Sequence, residues 1–191
     1  TKYLPYVAGT SDGDYKSNPL AGLSSFYTAQ FPSEQYFYGK TDYEASPLNR
    51  VLKTYGPGNS WVGSARGVST QELANTSADN IRVWNIALTA GSLPVDAGAY
   101  AVGSLLKTAT TDEQGKQVVE YTDKQGKVIL KKVQLSDSPS ADYTGWLSTY
   151  YVYDNLDNLR FVLQPKAVEQ VKANWTVTQN IANEFCFRYE Y

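Results

Sequence analysis

Histidine and methionine are absent from the 191 residues, and cysteine occurs once, as Cys186. The lack of histidine removes Ser-His-Asp and Cys-His nucleophile systems, the commonest general base and most zinc sites together. A lone cysteine forbids an internal disulfide and makes no metal cluster. In Phe185-Cys186-Phe187 it reads as a small hydrophobe in a strand. Charge is sparse and balanced, with 17 Lys and Arg against 19 Asp and Glu. Without a basic stripe, base stacking on aromatics would bind poorly, so no nucleic-acid partner is expected. No apolar run reaches the length of a membrane span, and no membrane insertion is expected. There is no charged start followed by an apolar segment, and the chain opens at Thr1. It is therefore expected to be a piece of a longer protein whose export signal lies upstream.

What the chain does have is aromatic and β-forming. Its 16 Tyr, 4 Trp and 6 Phe favour strands, while good helix formers are not gathered into long periodic runs. A short unit recurs: an aromatic or β-branched strand, Asp, a tight turn, then an aliphatic strand. Asp112-Glu113-Gln114-Gly115-Lys116 is followed eleven residues later by Asp123-Lys124-Gln125-Gly126-Lys127. Asp bonds the backbone that follows it and Gly accepts positive φ, so each set reverses the chain. These turns predict a three-stranded meander over Leu105 to Leu135, with Val133 and Leu135 alternating in its last strand. A third copy runs from Tyr150 to Val162, in which Tyr153-Asp154 starts the turn and Asp157 replaces Gly126. A fourth begins at Phe187-Arg188-Tyr189-Glu190-Tyr191, read as a strand with Phe185, Phe187 and Tyr189 on its core face.

Tyr153-Asp154-Asn155-Leu156-Asp157-Asn158-Leu159-Arg160 resembles the YD repeat of bacterial Rhs-type proteins. Asp42 through Val51, Tyr55-Gly56-Pro57-Gly58 and Trp61 resemble the segment that precedes the repeats in one branch of that family. So do Trp146 to Val162 and Phe185 to Tyr191. The resemblance covers roughly residues 36 to 191, with a unit at Asp42 that is longer before its Arg50. It implies a β-rich scaffold at or beyond the cell surface, whose repeats wind into a shell around a variable or toxic C-terminal domain.

The expected fold is mainly β, built of antiparallel hairpins and a meander of degenerate YD-type repeats. Residues 1–35 read as an irregular lead-in and 36–191 as the β-rich domain, unless 1–191 is one continuous domain. The first hairpin spans Tyr36 to Tyr55. Thr70-Gln71-Glu72-Leu73 reads as the start of a short helix, Ile81 to Ile86 as a half-exposed strand, and Tyr100 to Leu106 as another strand. One or two short helices are expected near 165–185. Pro165 suits a first helical turn, Ala167, Val168, Val171 and Trp175 share one side, and a second helix is placed at Thr178 to Glu184.

Only paired carboxylates remain as a catalytic option, and nothing selects two of the 19 acidic residues. Asp112, Asp123 and Asp154 already have a role in turns. Asp12-Gly13-Asp14 is a plain turn rather than a calcium loop, because further acidic ligands are missing. No catalytic, cofactor-binding or metal-binding residue is assigned, and the chain is expected not to be an enzyme. The residues singled out are the repeat-turn set Asp112, Gly115, Asp123, Gly126, Tyr153, Asp154 and Asp157. The expected role is a scaffold or cap whose partners are the remaining repeats of the same polypeptide. The alternative is a carbohydrate-binding or adhesive surface, using exposed Tyr and Trp against a glycan or surface protein.

Overall fold

The computed structural model describes residues 1–8, 13 and 15–191. Asp12 and Asp14 of the first turn motif lie outside the described residues. The described chain is mainly β, with short helices and antiparallel sheets, and it divides into two compact units. One comprises residues 1–70 and 111–115, the other residues 71–110 and 116–191.

The first unit holds β1 (Lys2–Tyr3), α1 (Pro19–Gln30), β2 (Tyr38–Tyr43), β3 (Val51–Tyr55) and the start of β4 (Val68–Ala74). β1 pairs with β2, β2 with β3 and β3 with β4, all antiparallel. Helix α1 falls inside the stretch expected to be irregular. Asn18 caps it by accepting from the Ala21 N–H at 3.3 Å, and Pro19 occupies its first turn, where no N–H is needed. Glycine and serine at 22, 24 and 25 hide this helix from propensity. Gly22 is there for contact: a Cβ would stand 2.7 Å from the Tyr6 hydroxyl. Thr70 to Leu73 is strand β4 rather than a helix. Its leading Val68 and Thr70 are β-branched and pair against β3 through Val68 and Ser69.

The second unit opens with a short 3-10 turn, Ser77–Asp79, and a two-stranded ribbon of β5 (Arg82–Asn85) and β6 (Val95–Ala99). Then come β7 (Leu106–Thr111), β8 (Gln117–Thr122), β9 (Val128–Gln134), β10 (Trp146–Tyr153) and β11 (Leu159–Leu163). Helices α2 (Pro165–Val171) and α3 (Gln179–Phe185) lead to β12 (Cys186–Arg188). Strands β7 to β12 neighbour one another in chain order, so the meander and the third hairpin are present as expected. Tyr100 to Leu105 is loop instead of strand. Its backbone is used elsewhere: the Tyr100 and Gly103 N–H groups donate to the Ile81 and Asn75 carbonyls.

The core of this unit is strand period two made visible, since Ser148, Tyr150 and Val152 are buried in β10 and their neighbours are less so. Leu130, Phe161, Leu163, Ala167, Val168 and Val171 are almost wholly buried, and α2 lies against β10 and β11. Each such Leu, Phe or Val contributes about 1.5–3 kcal/mol of transfer free energy. Two faces differ from expectation. In β9 Val133 is exposed and Lys132 is buried, and Leu135 just beyond it is exposed; in β12 Phe187 is 56% exposed, and Tyr189 just beyond it is 41% exposed. Phe185 ends α3, so the alternation does not continue back through it.

Candidate functional site

Three hairpins repeat one turn to the level of single bonds. At Asp123 the backbone N–H donates to the Lys127 carbonyl at 2.9 Å, and the carboxylate accepts from the Gln125 and Lys127 N–H groups. At Asp154 the N–H donates to the Asn158 carbonyl at 3.0 Å, and the carboxylate accepts from Leu156 and Asn158. The residue before the closing one takes positive φ: Gly126 at 85° and Asp157 at 65°. The strand pairing slips one place ahead of each turn, after which Thr122 faces Val128 and Tyr153 faces Leu159.

The unit of the first hairpin follows the same rule with two extra residues. Here the Asp role belongs to Glu44, not Asp42. The Glu44 N–H donates to the Arg50 carbonyl at 3.0 Å, and its carboxylate accepts from the Arg50 N–H and side chain and from the Ser46 hydroxyl. Asn49 takes φ 50°, and after the slip Tyr43 faces Val51. The Arg50 and Ser46 bonds hold the Glu44 carboxyl down at about 2. Asp42 instead accepts from the Tyr55 hydroxyl and pairs with Lys40. A longer acidic side chain suits the longer loop, because it must span further to reach the closing residue.

Asp112 accepts from the Gln114 N–H at 2.8 Å, and Gly115 holds φ 84°. The second and third turns are brought together. Lys127 pairs with Asp123 and Asp157, and its ammonium lies 5.5 Å above the Tyr153 ring. Asp154 is buried with Arg160, which also donates to the Tyr189 and Leu88 carbonyls. A cavity of about 140 Å³ opens here, lined by Asp123, Lys127, Tyr153, Asp154 and Trp84. Among the described residues the buried Trp84 Nε1 has no hydrogen-bond partner.

A second set of polar groups, unmarked by any repeat, is sealed inside the same unit. Asp79 Oδ2 accepts from the Thr76 N–H and hydroxyl, while Oδ1 accepts from Lys107 Nζ and the Tyr121 hydroxyl, both at 2.7 Å. Burial pushes the Asp79 carboxyl up, but these four donors outweigh it and hold the group at about 2. Burial lowers the Lys132 ammonium to about 8 and raises the phenols of Tyr121, Tyr143 and Tyr150. Lys132 Nζ donates to the Ala141 and Asp142 carbonyls and lies 5.0 Å over the Tyr143 ring. The Tyr143 and Tyr150 hydroxyls bond each other, and the Arg82 N–H donates to Tyr150. Trp175, at φ 54°, packs its ring against Tyr143, Tyr150 and Trp84.

The donors and acceptors of this network are spent on one another. Its signal in sequence was slight: Thr76-x-x-Asp79 has the spacing of a capping box. Lys132 sits two places from Leu130, on the same strand face. Cys186 is half-buried, and burial raises its thiol to about 11, as suits a packed side chain. Among the described residues no three of Asp, Glu and Cys converge as metal ligands, and no helix is long and apolar enough to cross a membrane.

Residues 1–74, less than half of the chain, match the model of a family described as Domain of unknown function (DUF6443). No curated protein and no solved structure matches.

Proposed function

We propose that the chain is a non-catalytic structural scaffold or cap of a large exported Rhs-type repeat protein. It would start the shell of repeats and hold the next strands in register. The observation that carries this reading is the shared turn, with closing bond, carboxylate cap, positive φ and pairing slip recurring at Glu44, Asp123 and Asp154. A turn that repeats in bonding as well as in letters makes one supersecondary unit stack on the next. The surface or secreted location and the enclosed cargo belong to the same proposal and rest on the resemblance alone.

The test is to append a second copy of the Trp146–Leu163 hairpin after Tyr191. A scaffold edge would accept it, raising the melting midpoint and slowing hydrogen exchange at Cys186 to Arg188. Unchanged values in both would overturn the reading. Turnover of ester, peptide or glycoside substrates that is lost on changing one carboxylate in a folded variant would overturn its non-catalytic part.

A second reading, saccharide binding, is favoured by the 140 Å³ cavity, where Trp84, Tyr153 and two carboxylates stand together. A sugar would set an apolar face against the aromatic side chains and donate its hydroxyls to the carboxylates. Glycan arrays separate the two readings, because the scaffold alone requires no glycan.

A further inference from the structure

The first unit contains a pocket of about 290 Å³ that no repeat turn lines. Five of its residues are aromatic, namely Tyr27, Phe31, Tyr36, Phe37 and Trp61, and Glu34 is the one charged residue among them. The pocket lies wholly within the stretch matched by the family of unknown function. A cavity of about 150 Å³ holds one benzene ring, so this one has room for a branched headgroup with part of its chain.

The walls are tied in place. The Gly58 N–H donates to the Tyr36 carbonyl at 2.8 Å, and the Asn59 N–H donates to Glu34 Oε2 at 2.6 Å. Asn59 Oδ1 in turn accepts from the Gln35 N–H. Glu34 is thereby fixed on the loop that carries Trp61, and among the described residues it pairs with no lysine or arginine. Trp61 already takes one cation: the Arg66 guanidinium lies 4.7 Å from its ring centroid.

Aromatic faces attract cations through the ring quadrupole, and a carboxylate beside them adds direct charge attraction. A neutral apolar ligand would fill the space but leave Glu34 unanswered, and an anion would be repelled by it. The geometry points to a site for an organic cation, an alkylammonium or quaternary ammonium group seated among the aromatics with its charge toward Glu34. The site is independent of the scaffold reading.

Titration of the whole ¹⁵N-labelled chain tests it, using choline, Nα-acetyl-lysine methylamide and the neutral choline isostere 3,3-dimethylbutan-1-ol. Trp61 is the single tryptophan of its unit, so its indole resonance reports on the pocket. Saturable shifts at Trp61 and Tyr36, with choline at least about fivefold tighter than the isostere, are expected. Stronger binding of the lysine derivative than of choline would assign the site to a protein side chain, and the reverse to a free small molecule. Glu34→Gln keeps an oxygen for the Asn59 N–H and should lose most of the preference for cations; Trp61→Leu should abolish binding. Absence of shifts, equal binding of the isostere, or full cation affinity in Glu34→Gln would each overturn the assignment.

Discussion

Asp157 holds a backbone φ of 65° in the place where Gly126 holds 85°, each two positions before its returning strand begins. The two are related by role, but only glycine enters that region without steric cost. Asp157→Gly should therefore stabilise the chain by roughly 0.5–1 kcal/mol. Its ion pair with Lys127 is exposed on the Asp157 side and contributes little to offset this. Gly126→Val should cost about 1 kcal/mol or more through the backbone alone. Among the described residues nothing lies within 4 Å of where a Cβ on Gly126 would stand. Urea denaturation of the two variants checks both signs, and equal midpoints would contradict the shared geometry.

The carboxylate caps should rank by what else depends on them. Asp123 serves two N–H groups and the half-exposed Lys127, whereas Asp154 also faces Arg160, which is 6% exposed. Removing Asp154 strands a buried guanidinium as well as opening a turn. Asp154→Ala should lower the denaturation midpoint clearly more than Asp123→Ala, and Asp154→Asn should fall between wild type and Asp154→Ala. A reversed order would mean that the caps act alone, without Arg160.

The turns were legible because their cause is local. Asp next to a turn and Gly at positive φ are requirements of the chain on itself, so the meander and the third hairpin could be placed from the letters. The resemblance counts the first hairpin's unit from Asp42, but in a loop with two more residues the capping role belongs to Glu44. Helix α1 was hidden because tertiary contacts hold it. Gly22 weakens the helix but lets Tyr6 approach, and Leu23 is buried. The inward Lys132 was illegible for a related reason. A strand's period assigns faces only up to a choice between two, and the carbonyls and rings that receive this ammonium come from distant segments. The pocket around Glu34 gathers α1, the 34–37 segment and the 57–61 loop, which no spacing in the chain announces.

Lys132 should leave a signature at alkaline pH. Its ammonium titrates at about 8 in the folded chain and near 10.5 ordinarily. Between those values the unfolded chain binds more protons, so stability rises with pH through this window. Relative to Lys132→Met, wild type should gain on the order of 2–3 kcal/mol of stability from pH 7 to pH 10. Above pH 10 the trend reverses for both proteins. The raised phenols of Tyr121, Tyr143 and Tyr150 give stability that is lost as the unfolded phenols ionise. Guanidinium midpoints at half-unit steps check this, and a constant difference would put the Lys132 ammonium in contact with water.

Asp79 should do the opposite at acid pH. Its folded carboxyl titrates at about 2 against an ordinary 3.8, so the folded state binds fewer protons in between. The stability this provides is complete above pH 4 and is lost as pH falls toward 2, by about 2 kcal/mol. Asp79→Asn should cost on the order of 3 kcal/mol at pH 7. The amide presents its own N–H to groups that are themselves donors, and Lys107 loses its counter-charge. The variant should also lack the acid slope, so that its difference from wild type shrinks from pH 5 to pH 2. Because Tyr121 donates to the same oxygen, Tyr121→Phe should lessen the cost of Asp79→Asn when the two are combined. Additive effects in that cycle would show that the phenol and the carboxylate do not share a bond.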